Sequence, residues 1–251
     1  MKTAVLGTGS WGLTLGCVLF ENGHQVSFWT HSPEEVEILS TQNEYKDKLP
    51  GIQLPKEFTY TTDMGAAIEG AEMVLIVVPS QFMDSVSKQL GAFSPQTVPV
   101  VVCATKGILE NTLQRMSEVI LSNVQWLPSD KMVVFSGPSH AEEVARRMYT
   151  AIVAASRSEA SAQLVQEAMS CSYLRVYTSN DVIGVELCGS VKNVIAIASG
   201  VLYGMESGDN TRAALLTRGQ AEMCRLGIAL GADAHTFAGL AGMGDLIVTC
   251  L

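Results

Sequence analysis

Nine residues near the start of the chain, AVLGTGSWG (Ala4–Gly12), constrain the fold more than any other stretch. They set Gly7, Gly9 and Gly12 in a G-x-G-x-x-G spacing. An apolar strand pattern precedes them, and a helical pattern running from Trp11 to Asn22 follows, ended by Gly23. Each glycine has a mechanical reason. The first turns the chain sharply out of a strand, the second lets the backbone approach a pyrophosphate, and the third lets the helix lie against the sheet. The helix N-terminus then aims unpaired N–H groups at the phosphates. The next run, QVSFW, completes a strand–loop–helix–strand unit within about 30 residues, the context that separates a dinucleotide loop from a glycine-rich turn. Gly7, Gly9 and Gly12 are therefore expected to cradle a dinucleotide.

The second strand ends in FWTHSP. A site that prefers NAD places Asp or Glu there for the ribose hydroxyls. Thr30, His31 and Ser32 stand there instead, which removes repulsion against a 2′-phosphate and leaves His31 to contact it. NADPH is expected over NADH. The missing acid also argues against an S-adenosylmethionine-dependent methyltransferase.

Further strand patterns recur at Met73–Val78, Val98–Ala104 and Met132–Ser136, separated by helical stretches, and then at TAIVAAS and LRVYTS on either side of a helix-like Glu159–Met169. Continuous apolar strands alternating with helices predict a parallel sheet covered on both faces. The segment TQNEYKDKLPGIQLPKEF (41–58) reads as irregular. From about Asp181 the pattern is helical only, with one helix over Val185–Tyr203 and a second over Thr211–Ala229 capped by Asn210. The expected architecture is α/β. A doubly wound sheet over residues 1–180, Rossmann-type by its glycine loop, is expected to bind the dinucleotide, and a smaller, all-helical domain occupies 181–251. The apolar, uncapped end DLIVTCL predicts that the natural sequence continues past Leu251.

With 47% hydrophobic and 16% charged residues in 251, the chain can bury a large core. A net charge of −9 disfavours nucleic acid and anionic membrane surfaces but leaves room for a small anionic ligand. No run is expected to span a membrane, and the N-terminus lacks signal-peptide flanks. Six scattered cysteines without a C-x-x-C pair point to reduced thiols and a cytoplasmic protein, and four histidines without ligand spacing point to no metal.

Four polar residues do not suit a core. Lys192 lies in VELCGSVKNVIAIASGVL, whose apolar stripe includes Leu187, Cys188, Val191, Val194, Ile195, Ala198, Val201 and Leu202. A helix apolar or small all round is expected to be buried, and a buried lysine needs a negative partner. Asp245, set among glycines in GLAGMGDL, is a candidate for that partner and marks an unusual backbone path. Lys106 follows a buried-strand pattern, at the sheet edge where ligands bind. Ser139, after the Gly137-Pro138 turn, starts an S-H-A-E stretch that reads as a capping box with Glu142. Exposed N–H groups there would also suit an anion.

Taken in order, GTGSWG, TKGI, SGPSHAEEVA, GVELCGSVKNVIAIASG, GDNTRAALLTRG and GLAGMGDLIVTC resemble the bacterial NAD(P)H-dependent glycerol-3-phosphate dehydrogenases over the whole chain. The resemblance implies reduction of dihydroxyacetone phosphate to sn-glycerol 3-phosphate for phospholipid synthesis, with the site between the two domains, and it is compatible with a homodimer. Ser10, Trp11, His31, Lys106 and Ala141 would line the coenzyme. Lys106, Gly137 and Ser139 would contact substrate. Lys192 would be the proton donor, with Asp245 beside it and Asn193 and Thr249 near the reacting centre. Two departures stand out. Lys48 precedes Leu49-Pro50, where the family usually has an aromatic residue, and the family's substrate-phosphate grip and an acidic coenzyme contact lie beyond Leu251. An incomplete helical domain would turn over poorly and leave apolar surface open to aggregation. Two other readings remain. A non-catalytic NADP(H)-binding regulator would not need Lys192. A related two-domain hydroxyacid dehydrogenase would need a carboxylate-binding constellation that the sequence does not display.

Overall fold

The computed structural model describes all 251 residues. Residues 2–179 build one eight-stranded sheet and its covering helices. The strands are β1 (Lys2–Leu6), β2 (Gln25–Trp29), β3 (Thr59–Thr61), β4 (Met73–Ile76), β5 (Val100–Cys103), β6 (Met132–Ser136), β7 (Thr150–Ser156) and β8 (Leu174–Ser179). The helices between them are α1 (Ser10–Glu21), α2 (Pro33–Gln42), α3 (Met64–Ile68), α4 (Met83–Gly91), α5 (Met116–Asn123), α6 (Ala141–Ala145) and α7 (Glu159–Met169). The strand order is β3-β2-β1-β4-β5-β6-β7-β8.

Successive side chains on a strand point to opposite faces, and the core divides accordingly. Val5, Phe28, Leu75, Val102 and Phe135 face one side with Leu15 and Leu19 of α1 and Val165 of α7. Ala4, Leu6, Val74, Ile76 and Val101 face the other, with Met64, Met83, Leu90 and Ile120 from α3, α4 and α5. Burying both faces is what the unbroken apolar strands require.

Two strand expectations change. The sheet is parallel only through β6; β7 runs antiparallel to β6, and β8 is parallel to β7. An apolar run such as TAIVAAS signals burial but carries no direction, so its sense depends on the link, here one that holds only the five-residue α6. Strand β3 lies at the edge beside β2, just past the stretch read as irregular, and three half-polar residues are too few to show a period.

The remainder is helical: α8 (Val182–Gly204), α9 (Asp209–Ala229), α10 (Ala234–Ala238), a π-helical turn over Leu240–Gly244, and α11 (Asp245–Cys250). Asp181 caps α8 by accepting from the Gly184 N–H at 2.8 Å, and its other carboxylate oxygen accepts from the Thr236 hydroxyl at 2.6 Å, joining α8 to α10. Helix α9 begins two residues before the expected start. Gly208, with φ of 80°, precedes it, and Asn210 lies inside rather than at the cap.

Helix α8 corrects two expectations. Its 23 residues include an 18-residue stretch of mean hydropathy 1.5 and are long and apolar enough to cross a membrane, contrary to the expected absence of such a run. Only its first half is thoroughly buried. Val185, Leu187 and Cys188 join a third core with Val134, Val153, Met223, Phe237 and Leu246, whereas Val194 and Val201 of the same stripe are exposed, with Ile197 between them. Periodicity defines a face but not how much of that face a partner covers.

Candidate active site

The loops after β1, β2, β4, β5 and β6 leave the same edge of the sheet because these strands are parallel. Strands β2 and β3 lie on one side of β1 and β4 to β6 on the other, so a crevice opens at the β1/β4 switch point, where ligands bind in such sheets. The glycine loop lies there. Gly7 has φ of 121°, and a side chain on it would strike the Val77 carbonyl; one on Gly12 would strike the Gly7 carbonyl. A side chain on Gly9 would meet nothing within 4 Å. Packing therefore requires two of the glycines, while the third keeps clear the space before the α1 N-terminus, as a pyrophosphate needs. The residues present fit a dinucleotide. Trp11 is half-buried beside the loop, and Thr14 of α1 donates to the Ala141 carbonyl at 3.2 Å, which brings the start of α6 to the same mouth.

The first turn of α2 returns an acid to the end of β2. Ser32 caps α2 by accepting from the Glu35 N–H at 3.2 Å, and the Glu35 carboxylate then accepts from four side chains. These are the Thr8 hydroxyl, the Thr30 hydroxyl at 2.6 Å, the Tyr45 hydroxyl at 3.1 Å and the Lys48 ammonium at 2.7 Å. Against the cost of burial, Lys48, Thr30 and Thr8 hold this carboxyl down at about 2. The sequence expectation that no acid serves this edge fails, because the acid comes from five residues past Thr30. Its signal in the sequence is the S-P-E-E start of α2, where Glu35 stands three residues past the capping Ser32.

Some distance along the same edge, Asp245 is 1% exposed and binds two lysines. Its Oδ1 pairs with Lys192 Nζ at 2.7 Å and its Oδ2 with Lys106 Nζ at 2.7 Å. The π-helical turn delivers it: Gly242 lies so close to the Phe237 backbone that a side chain there would collide, and α11 starts at Asp245 itself. Such turns recur at functional sites because they re-aim one residue. Lys192 also donates to the Thr249 hydroxyl, which in turn donates to the Asp245 carbonyl at 2.6 Å. Lys106 further donates to the Gly137 carbonyl at 3.0 Å, and Ser139 Oγ donates to the same carbonyl at 3.1 Å. Burial pushes the Lys106 ammonium below its ordinary pKa and the nearby Lys192 charge adds to this, while Asp245 opposes both.

Lys106 reaches the cluster across α8 where Gly189 leaves room; a Cβ there would lie 2.8 Å from Ser136 Oγ and 3.2 Å from Lys106 Cγ. The same helix is tied to the Lys106 loop. Ser190 Oγ accepts from the Gly107 N–H at 3.2 Å and donates to the Gly107 carbonyl at 3.0 Å. One turn earlier, buried Glu186 accepts from the Ser117 N–H at 2.6 Å, the Ser117 hydroxyl at 2.7 Å and Arg115 at 2.8 Å. Burial pushes the Glu186 carboxyl up, against the pull of Ser117 and Arg115.

Residues 2–162 match the family model described as NAD-dependent glycerol-3-phosphate dehydrogenase N-terminus, and residues 181–251 match its C-terminus counterpart. The chain belongs to the NAD-dependent glycerol-3-phosphate dehydrogenase family. A relative from Citrifermentans bemidjiense, named glycerol-3-phosphate dehydrogenase [NAD(P)+], is 49% identical over 249 residues, covering 99% of this chain and 74% of its own length. One of the same name from Agathobacter rectalis is 45% identical over 99% of this chain and 73% of its own. The crystal structure of glycerol-3-phosphate dehydrogenase from Coxiella burnetii superposes with a TM-score of 0.93 at 37% identity, over 100% of this chain and 75% of that one.

For this member of the glycerol-3-phosphate dehydrogenase family, the structure gathers the expected residues into two groups. Gly7, Gly9, Ser10, Trp11, Gly12 and Ala141 surround the glycine loop, and His31 is exposed at the end of β2. Lys106, Gly137, Ser139, Lys192, Asp245 and Thr249 form the second group. Asn193 is exposed on α8 and stays outside the hydrogen-bonded cluster. The capping box at Ser139 does not form. His140 is the N-cap of α6, and the Ser139 hydroxyl turns back to Gly137 because the Gly137-Pro138 turn brings that carbonyl within reach.

Proposed function

We propose that this chain reduces dihydroxyacetone phosphate to sn-glycerol 3-phosphate reversibly, with NADPH or NADH, and so supplies a phospholipid precursor. The observation that carries this is the Asp245 carboxylate, buried between two ammonium groups at the edge of a sheet that also presents a dinucleotide loop. In this division, residues 1–180 hold the coenzyme and 181–251 bring the proton donor. Six unpaired thiols support a cytoplasmic location.

A bound reduced nicotinamide supplies a hydride to the ketone carbon. Negative charge then grows on the ketone oxygen, and the chain must stabilise it and deliver a proton. Lys192 is 5% exposed and held by Asp245 and Thr249, so its ammonium is oriented and shielded from water. It donates a proton to that oxygen in reduction and takes one back in oxidation. Lys106, Lys192 and Asp245 together carry one net positive charge, which favours an anionic substrate and a developing oxyanion. Lys106, with Gly137 and Ser139 beside it, contacts the substrate, and Asp245 fixes the spacing of the two lysines. The test is Lys192→Met, followed by NADPH oxidation with dihydroxyacetone phosphate and by fluorescence titration of NADPH. Turnover is expected to fall by at least a thousandfold with coenzyme affinity retained; near-normal turnover overturns the assignment.

A further inference from the structure

The crevice at the end of β2 contains one cation whose bonding capacity is mostly unused. Lys48 Nζ has three N–H donors and spends one on Glu35, at 2.7 Å. Its side chain is 38% exposed, and the other two donors have no partner within the chain. Its backbone is tied to the glycine loop and its ammonium lies beside an aromatic ring. The Lys48 carbonyl accepts from Ser10 Oγ of the glycine loop at 2.5 Å, and the ammonium lies 5.3 Å from the centre of the Tyr45 ring.

Glu35 is the opposite case. A carboxylate offers about four lone-pair sites, and Thr8, Thr30, Tyr45 and Lys48 supply four donors. Nothing remains on Glu35 for the ribose diol that distinguishes NADH-selective sites. Its role is to brace the glycine loop, the end of β2 and the segment after α2, and to hold the Lys48 ammonium next to Thr30. Thr30 is the first residue past β2, the place that the adenosine ribose occupies in such folds.

We propose that Lys48 reads the 2′-phosphate of NADPH, with Glu35 as the positioning residue that aims it. The inference rests on the dinucleotide reading of the glycine loop. A phosphate in contact with Lys48 gains two charge-assisted hydrogen bonds, and Glu35, one lysine contact farther away, repels it less than Lys48 attracts it. His31, exposed on the neighbouring residue, widens the anion-tolerant edge but is anchored to nothing that would aim it.

The experiment uses calorimetric titration with 5′-ADP and 2′,5′-ADP, which differ only in the phosphate at issue, together with NADH and NADPH. The intact chain is expected to bind 2′,5′-ADP about tenfold or more tightly than 5′-ADP, the scale of one to two charged hydrogen bonds, with the preference shrinking as salt rises. Lys48→Met should bring the two affinities to within about twofold, Lys48→Arg should keep them apart, and NADPH should lose its advantage over NADH in step. An affinity ratio unchanged by Lys48→Met overturns the proposal, as does an intact chain that prefers 5′-ADP, for then Glu35 decides the edge. Failure of the intact chain to bind any of the four nucleotides overturns the dinucleotide reading along with it.

Discussion

Replacing Asp245 by Asn tests the centre of the site, because it keeps shape and removes one buried negative charge. The carboxylate is 1% exposed and holds ammonium groups at 2.7 Å on each oxygen. Both ammonium groups lie against this one carboxylate, near enough that the Lys192 charge acts on Lys106, and at an effective dielectric of about 20 their mutual repulsion is on the order of 2–4 kcal/mol once the anion is gone. An Asn carbonyl still accepts from one lysine, but its NH₂ group faces the other as a second donor. Lys192, 6% exposed in its side chain, cannot reach water, whereas Lys106 at 26% can swing partly outward. Breaking a buried pair by removing one partner costs about 3–5 kcal/mol. We expect about 3 kcal/mol here, which lowers the urea midpoint by roughly 1 M for a slope of about 3 kcal/mol/M.

The pH dependence separates this cause from a packing defect. In Asp245→Asn the cluster has lost its anion, so a lysine releases its proton more readily folded than unfolded. The unfolded state then binds more protons, and stability relative to the parent rises with pH as that lysine deprotonates. Urea unfolding of both proteins between pH 7 and 10 should show the deficit narrowing. A deficit below about 1 kcal/mol at pH 7, or one that stays constant to pH 10, refutes the charge argument.

The glycine loop predicts a split phenotype: Gly9→Ala should fold with a near-parental melting temperature yet lose most NADPH affinity, whereas Gly7→Ala, at φ of 121° and against the Val77 carbonyl, should lose several kcal/mol of stability, both readable by thermal melts with titration. Gly189→Ala should push Lys106 off Asp245, lowering kcat for dihydroxyacetone phosphate about tenfold or more while NADPH affinity changes little. Glu35, with a folded pKa of about 2, contributes stability that is complete above its unfolded pKa near 4.3 and is lost as pH falls from there toward 2. Allowing for solvent at Lys48, that contribution is about 1–2 kcal/mol, and Glu35→Gln should flatten the acid limb of the stability curve by that amount.

Local spacing by itself determined the glycine loop, the two-faced strands and the suspicion attached to Lys192. The first follows from rules that act within a dozen residues, the second from unbroken apolar runs that leave neither face polar, and the third from the cost of burying an unpaired ammonium. Position after a strand likewise marked Lys106 and Gly137. Only the tertiary structure decided who pairs with whom. Asp245 meets Lys192 across 53 residues of sequence and Lys106 across 139, through a π-helical turn, which the glycines of GLAGMGDL signalled only as an unusual backbone path, and a glycine window in α8 that no local pattern encodes. It also decided the direction of β7, the exposure of the second half of α8, and the return of Glu35 to the end of β2. Each of these depends on which surfaces come together, and periodicity records only that a surface needs a partner.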